Sequence, residues 1–318
     1  MRLLIVMYHH IDSEKKYKSG IYPISIERFT KQLDIIRKKY TFINEDKLVK
    51  IIGGSDKLPD INFCFLTFDD SLRCQYDNAI PVLKERRIPA TFYINSKPYL
   101  ENSACSVHLI HWLLTFLDPK KFLEEIYTNY NKITGNILIL SEAEEKEASK
   151  FKRYDNKDIS KLKFILNNYL DVGISEIIIG GIFKKYSKIG MLDFCKKLYM
   201  SVGNLKNLLS DSLFSLGMHT NSHINISKLS QESLNNEYQL NYNFLCKIGA
   251  NVQGIAYPYG TFGDKKDFDS ILSVNKNIGI LYGLTTLRNI NINLDSPFYL
   301  SRCDTNDIKG GKNPIISI

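Results

Sequence analysis

The sequence predicts an α/β protein built on a parallel sheet or barrel. Short apolar runs alternate along the chain with amphipathic helical patterns, and this alternation is typical of βα units. The length of 318 residues accommodates one α/β barrel of roughly 250 residues together with an insertion. We therefore predict a single domain over residues 1–318 that is interrupted by a helical insert at about 101–203.

The predicted strands are short apolar runs, and polar or turn residues follow most of them. They are Leu3–Tyr8, Phe63–Phe68, Ala90–Asn95, Leu213–Met218, Gly254–Tyr257, Gly279–Gly283 and Phe298–Ser301, with a weaker one at Thr41–Asn44. Between them, apolar residues spaced three and four apart predict helices at Ile26–Lys39 and Ser233–Ile248.

The stretch 101–203 departs from this rhythm and is predicted to be helical. Its predicted helices are Val107–Leu117, Pro119–Tyr130, Ser141–Phe151, Ile159–Tyr169 and Ser175–Tyr186. The apolar segment 107–116 is too short to span a bilayer, which needs about 20 residues. We expect it to pack on the barrel, with a membrane-surface or homo-oligomer contact of the insert as the alternative.

Composition and charge exclude several classes of protein. Apolar residues make up 44% and charged residues 24%, which excludes intrinsic disorder for most of the chain. The formal net charge of +8 suits an anionic substrate or surface. Basic residues do not form a patch interleaved with aromatic residues, so we expect no nucleic-acid partner.

Cysteine usage and the start of the sequence indicate a compartment. The six cysteines include no C-x-x-C pair and several stand in apolar runs, which is typical of reduced thiols and not of a disulfide framework. The apolar run after Met1 is shorter than the core of a signal peptide, and no small-residue cleavage site follows it. We therefore expect a cytoplasmic location.

Polar residues cluster where the predicted strands end. The strand ends carry His9-His10, Asp69-Asp70, His219–His223, Pro258–Gly260 and Arg302–Asp304. In β/α barrels the carboxyl ends of the strands form the rim of the active site. We therefore predict that these five segments converge on one rim.

The residue types at this rim suit a metal centre. His219 and His223 are spaced i, i+4, which places them on one face of a helical turn. Catalytic zinc sites commonly have two histidines and a carboxylate as ligands and leave one coordination position open. Non-haem iron oxygenases use the same ligand types. The alternatives are that Asp69 and Asp70 cap a helix and that the histidines are polar turn residues.

The motifs Leu66–Asp70, Asn78–Leu83, Ile88–Tyr93 and His219–His223 occur in this order along the chain. Together they resemble the polysaccharide deacetylase family, the NodB homology domain of carbohydrate esterase family 4. The resemblance covers about residues 1–97 and 204–304, and Met7–Ile11 looks like the circularly permuted subgroup of poly-N-acetylglucosamine deacetylases. It implies a distorted (β/α)7-type, NodB-like barrel.

Carried onto matching positions, the resemblance implies a divalent metal, expected to be Zn²⁺, bound by Asp70, His219 and His223. Asp69 would then be the general base, and Thr220 would hold the histidine loop by hydrogen bonding.

Three further residues complete the implied catalytic set. Tyr259 would offer its backbone N–H to the oxyanion, and His9 would be the general acid, with His10 as the alternative. The arginine that often precedes the Pro-Tyr element is missing, and Arg302 on the last strand is expected to replace it beside Asp69. A second departure is Ser71, which stands where the family usually has glycine.

The implied activity is metal-dependent removal of an acetyl group from an N-acetylated sugar. We expect a nucleotide- or lipid-linked intermediate of surface glycan biosynthesis, such as lipopolysaccharide or capsule, because its phosphates would match the positive net charge. The alternatives are a non-catalytic carbohydrate-binding barrel, and an O-acetyl esterase or deformylase on the same scaffold.

Overall fold

A computed structural model of the chain describes residues 1–17, 19–54, 61–150, 155–260 and 265–316. Its strands are β1 (Leu3–Tyr8), β2 (Thr41–Ile43), β3 (Phe63–Phe68), β4 (Ala90–Ile94), β5 (Phe214–Met218), β6 (Gly254–Ala256), β7 (Tyr282–Leu284) and β8 (Cys303–Asp304). They form one eight-stranded sheet in the order β7-β6-β5-β4-β3-β1-β8, with β2 paired to β3. Every strand pair is parallel, so all carboxyl ends lie at one edge.

The curled, all-parallel sheet with helices between its strands confirms the predicted fold class. Leu300, which precedes β8, forms an isolated parallel bridge with Leu284 of β7. The two ends of the strand order therefore approach each other at this point.

Both faces of the central strands are buried, which explains their unbroken apolar runs. Successive side chains of a strand point to opposite faces. Leu3 and Ile5 of β1 accordingly belong to one apolar cluster, on the inner face of the sheet, while Leu4 and Val6 belong to the other.

The helices follow the strands in the predicted βα rhythm. They are α1 (Ile26–Arg37), α2 (Glu45–Ile52), α3 (Ile80–Arg86), α4 (Lys97–Leu100), α5 (Ser106–Leu113), α6 (Pro119–Thr134), α7 (Glu142–Ala148), α8 (Lys157–Phe164), α9 (Val172–Tyr186), α10 (Met191–Leu198), α11 (Val202–Leu209), α12 (Gln231–Lys247) and α13 (Lys265–Asn277). Short π-helical turns at Gln75–Ala79 and Ile165–Tyr169 precede α3 and follow α8. The starts of α1 and α12 are set by Ser25 and Ser230, whose hydroxyls accept backbone N–H groups of the first turn.

The chain forms two compact units. The first comprises Met1–Lys16, Pro23–Ser103 and Phe194–Ile318, and it contains the sheet. The second comprises Tyr17–Tyr22 and Ala104–Asp193, and it is helical. Within the residues that the structure describes, no helix is both long and apolar enough to cross a membrane.

The apolar segment 107–116 contributes α5 to the second unit. Most of its apolar side chains are buried, and α5 packs against α9. Phe116, just beyond α5, stays half exposed. The predicted membrane-surface or homo-oligomer contact of the insert stays a prediction.

Several predicted elements differ from the structure. The strand predicted at Phe298–Ser301 is wrong, because Pro297 begins a 3-10 turn there and the strand follows at Cys303–Asp304. The strand predicted at Gly279–Gly283 begins only at Tyr282, since Gly279 takes a left-handed φ of 80° just after α13.

Two helices near the end of the 101–203 stretch were not predicted, namely α10 and α11, and α11 continues beyond that stretch to Leu209. A capping box between Ser201 and Asn204 starts α11, and it was the local sequence signal for that helix. The last residue of the helix predicted at Ser141–Phe151 lies outside the described residues.

Candidate metal centre and active site

The alternation of β3 places Asp69 on the inner face of the sheet. Phe63 and Phe65 point inward, so Thr67 and then Asp69 continue the same face beyond the strand end. Asp69 is buried, and its Oδ1 accepts a hydrogen bond of 2.7 Å from Nη1 of Arg302. The expected contact between these two side chains is therefore present in the structure.

Arg302 is itself only 1% exposed and is fixed by further contacts. Its Nε donates to the Thr285 carbonyl at 3.0 Å, and its guanidinium carbon lies 6.0 Å from the ring centre of Tyr93. Burial raises the pKa of Asp69, but the nearby charges of Arg302, His219 and His9 outweigh burial and hold that pKa below its ordinary value. Asp69 is thus kept as a carboxylate.

The chain turns sharply after Asp69. Asp70 and Ser71 take left-handed φ angles of 78° and 52°, which redirect the Asp70 side chain relative to its neighbour. Gln75 holds this turn, since its Nε2 donates to the carbonyls of His9 at 3.0 Å and Asp69 at 2.6 Å. The positive φ at Ser71 explains why glycine is favoured after the two aspartates.

The histidines come from the end of β5. Phe214, Leu216 and Met218 belong to the outer cluster, so His219 falls on the inner face. Gly217 makes room there for the ring of Tyr93, because a Cβ at that position would come within 2.5 Å of it.

The loop that follows β5 returns His223 to the same place. Thr220 and His223 take left-handed φ angles of 60° and 56°. The Thr220 hydroxyl accepts the backbone N–H of His223 at 3.1 Å, so the hydrogen bond expected of Thr220 is present.

These two chain segments bring the predicted metal ligands together. Oδ1 of Asp70 lies 3.5 Å from Nε2 of His219 and 3.4 Å from Nε2 of His223. All three side chains are buried, and their candidate ligand atoms lie within 4.8 Å of one another. Among the described residues, this is the one such cluster of three or more metal-ligating side chains.

The donor set fits a divalent cation. Nδ1 of His219 lies 2.6 Å from the carbonyl oxygen of Ala256, and a carbonyl can only accept, so the proton is on Nδ1. Nε2 of the neutral ring then presents its lone pair toward a carboxylate oxygen. Two such acceptors repel each other unless a metal ion lies between them or the ring takes up a second proton. A backbone carbonyl that fixes the tautomer is also the usual outer partner of a metal-bound histidine.

A proton on His219 is the other way to satisfy this pair. Burial lowers the pKa of His219, but the adjacent Asp69 and Asp70 carboxylates outweigh burial and raise that pKa overall. The pocket therefore favours positive charge, whether as a proton or as a metal ion.

The two candidate acids occupy different positions. Nε2 of His9 lies 4.0 Å from Asp69 Oδ2 and 3.9 Å from Asp70 Oδ2, and its side chain is 35% exposed. Nδ1 of His10 lies 3.9 Å from the sulfur of Cys74. His9 is thus placed beside both carboxylates at an edge open to solvent.

Tyr259 lies beside His223. Its ring meets that of His223 edge-on, with centres 5.0 Å apart, and its backbone takes a left-handed φ of 59°. Its carbonyl accepts a hydrogen bond from the Thr286 hydroxyl at 3.3 Å. This contact and the following Gly260 shape the turn that carries Tyr259.

Sequence reasoning missed the side chains that hold the two segments in place. These are Gln75 beside the aspartates, and Asn95, Glu237 and Asn241 beside the histidines. The available signal was weak, since polar residues on the buried side of a helix stand out only once the orientation of the helix is known.

The chain matches a protein-family model over part of its length. The matching family model is polysaccharide deacetylase, over residues 57–135. The matched stretch contains Asp69 and Asp70, whereas His219 and His223 lie beyond it. The predicted resemblance to the polysaccharide deacetylase family is confirmed, and its permuted subgroup stays a prediction.

Solved structures of similar fold cover nearly the whole chain. The Streptococcus pyogenes deacetylase PplD in complex with acetate superposes with a TM-score of 0.57 at 15% identity, over 96% of this chain and 92% of that one. IcaB from Ammonifex degensii has a TM-score of 0.54 at 17% identity, over 95% and 91%. A de-N-acetylase from Aggregatibacter actinomycetemcomitans has a TM-score of 0.53 at 14% identity, over 96% of each chain. No curated protein sequence matches the chain.

Proposed function

We propose that this protein is a divalent-metal-dependent hydrolase that removes the acetyl group from an N-acetylated sugar. The observation that carries the proposal is the position of Asp70 Oδ1, at 3.5 and 3.4 Å from the Nε2 atoms of two histidines, beside a second carboxylate that already has Arg302 as partner. Asp70, His219 and His223 would hold the metal, and Zn²⁺ suits this mixture of imidazole and carboxylate ligands. When bound, such an ion polarises a carbonyl and lowers the pKa of water.

The chain's own residues supply the proton transfers and the orientation. Asp69, kept as a carboxylate by Arg302, accepts the proton of the attacking water as general base. The backbone N–H of Tyr259 stabilises the negative oxygen of the tetrahedral intermediate. His9 then donates a proton to the departing sugar nitrogen, since an amine leaves poorly without one. Arg302 touches Asp69 and acts as a positioning residue.

The substrate that we propose is a short, phosphate-bearing N-acetyl sugar, either nucleotide-linked or lipid-pyrophosphate-linked, that serves as an intermediate of a surface glycan. The net charge of +8 supports an anionic substrate. The location that we propose for this reaction is the reducing cytoplasm, as the cysteine pattern of the sequence predicts.

The test is to load the purified chain with Zn²⁺ and to measure acetate and primary amine together. UDP-N-acetylglucosamine and penta-N-acetylchitopentaose represent the phosphate-bearing and the neutral polymeric substrate. Equal amounts of acetate and amine establish N-deacetylation, whereas acetate without amine from an O-acetylated sugar identifies an esterase. We expect the phosphate-bearing sugar to be faster. Absence of metal binding and of turnover would identify a non-catalytic barrel.

The assignment of His9 has its own test. His9→Ala should slow hydrolysis of a sugar amide much more than that of an activated acetyl ester, because a good leaving group needs no proton. General acid catalysis typically contributes about 10²–10⁴-fold, which sets the expected loss on the amide. His10→Ala is the matched control and should affect both substrates little. Equal damage to amide and ester by His9→Ala would contradict the assignment.

A further inference from the structure

The loop between the two histidines is held on both sides by polar groups, most of them buried, that the mechanism above does not use. One side is helix α12, which offers Glu237 and Asn241. These two positions are spaced i, i+4, so their side chains share one face of the helix.

Each of the two side chains binds a different part of the loop. Oε2 of Glu237 accepts the backbone N–H of Ser222 at 2.9 Å, and its Oε1 accepts the Ser222 hydroxyl at 2.7 Å. Oδ1 of Asn241 accepts the backbone N–H of His219 at 3.0 Å, while its Nδ2 donates to the Ile94 carbonyl at 2.9 Å. Asn241 is completely buried.

The opposite side of the loop meets the segment that follows β4. Nδ2 of Asn95 donates to the His219 carbonyl. The Ser96 hydroxyl donates to Oδ1 of Asn221 at 2.7 Å, and the backbone N–H of Lys97 donates to the Asn221 carbonyl at 2.9 Å. The loop backbone is thus bound between a helix and a strand end.

The loop needs this support because it is strained. Thr220 and His223 both hold left-handed backbone angles without being glycine. Such backbone angles are unfavourable for residues with a side chain, and they persist only where the surroundings fix them. Without its contacts, the loop would relax and move the His223 imidazole away from Asp70.

We propose that Glu237 and Asn241 are positioning residues for the metal centre, because α12 binds the strained loop and thereby holds the Nε2 atoms of both histidines near Asp70. This inference rests on the proposed function, since it assigns a purpose to the loop geometry at the proposed metal site. Outer groups that orient metal ligands typically contribute 10–100-fold in metal affinity, which makes the idea measurable.

The first experiment compares three variants of the full chain. Glu237→Ala removes both hydrogen bonds to Ser222, whereas Glu237→Gln can retain both, with its oxygen accepting the N–H and its amide donating to the hydroxyl. Glu232→Ala is the matched control, because Glu232 is an exposed carboxylate on the same helix. Zinc affinity is measured by competition with a chelator. We expect Glu237→Ala to bind zinc roughly 10–100-fold more weakly, and the other two to stay near wild type.

The second experiment examines the loop without metal. Hydrogen–deuterium exchange of the peptide 219–223 should be faster in Glu237→Ala and in Asn241→Ala than in the wild-type chain. Asn236→Ala is the control for Asn241, because Asn236 is exposed on the same helix. Ser222→Ala removes one of the two hydrogen bonds between Ser222 and Glu237. It should accelerate exchange less than Glu237→Ala does, since it keeps the backbone N–H that Glu237 binds.

The outcomes separate the two proposals. If the wild-type chain binds no zinc, the proposed metal centre is wrong, while exchange in the metal-free chain still decides whether α12 fixes the loop. If Glu237→Ala matches Glu232→Ala in both zinc affinity and exchange, the positioning role is wrong. Should Glu237→Ala fail to fold, Asn241→Ala and Ser222→Ala carry the same comparison against Asn236→Ala, and wild-type exchange in both of them would overturn the proposal.

Discussion

The aspartate corner (residues 69–71) and the histidine loop (219–223) face each other at the rim and are built by different means. Both contain left-handed residues that are not glycine. The corner is tied to a buried cation, because Asp69 pairs with Arg302 at 2.7 Å. The loop is tied by hydrogen bonds to its backbone, which Glu237 and Asn241 provide from α12.

The difference shows how adjacent carboxylates acquire separate roles. The corner brings a fixed positive charge to Asp69, whose pKa is lowered by that charge despite burial. Asp70 instead faces the nitrogen atoms of the loop, and these supply lone pairs or an exchangeable proton. A cation between Asp70 and the loop therefore has to come from solution. Substitution of Asp70 is expected to affect cation binding, whereas substitution of Asp69 is not.

The largest expected effect is on Asp70. Asp70→Asn leaves two imidazoles and a neutral amide, which is a poor ligand set for zinc. We expect zinc retention and turnover both to fall to background, a greater loss than the roughly 10–100-fold of an outer change. Zinc content after gel filtration and amine release measure the two losses. His219→Ala should behave alike, and unchanged zinc stoichiometry in either variant would contradict the ligand assignment.

Asp69→Asn should lower the activity of the protein without lowering its zinc content. The variant keeps all three proposed ligands, so zinc content should remain at the wild-type level. Loss of the general base should lower kcat by about 10²–10⁴-fold. If Asp69→Asn lost zinc to the same extent as Asp70→Asn, the two carboxylates would share one role.

Arg302 tests whether the corner depends on its cation. Arg302→Met leaves the Asp69 carboxylate buried without its partner, and such a change costs about 3–5 kcal/mol of unfolding free energy. Adding Asp69→Asn removes the stranded charge, so the double variant should regain much of that stability in urea while remaining inactive. Additive stability losses would show that the pair is not coupled in this way.

Much of this architecture could be predicted from the sequence, because it depends on local patterns. Burial on both faces makes strands such as Phe63–Phe68 visible as unbroken apolar runs, and the rule that active sites lie at their carboxyl ends locates Asp69 and His219. The resemblance then suggested Arg302 as the partner of Asp69, and the structure shows that contact.

The parts that could not be predicted depend on distant or subtle interactions. The 3-10 turn at Pro297–Tyr299 replaces a strand because proline lacks the N–H that a ladder needs. Glu237 and Asn241 look like ordinary helix residues, and their role depends on which face of α12 meets the loop. The residue types at Thr220 and His223 do not indicate left-handed backbone angles, since neither residue is glycine or asparagine.

The smallest expected effect compares the strain of the two segments directly. Ser71 is buried with a φ of 52°, and its hydroxyl has no hydrogen-bond partner within the described residues. Ser71→Gly removes both the strained angle and the unsatisfied hydroxyl, and it should stabilise the metal-free chain by about 1 kcal/mol. Ser71→Ala, the control, removes only the hydroxyl and keeps the strained angle.

In the histidine loop, Thr220→Gly also relieves a left-handed angle, but it loses the hydroxyl that accepts the His223 N–H at 3.1 Å. Urea unfolding should therefore move in opposite directions for the two glycine variants. A loss of stability in Ser71→Gly would show that the corner is not strained, and a gain in Thr220→Gly would show that its hydroxyl does not hold the loop.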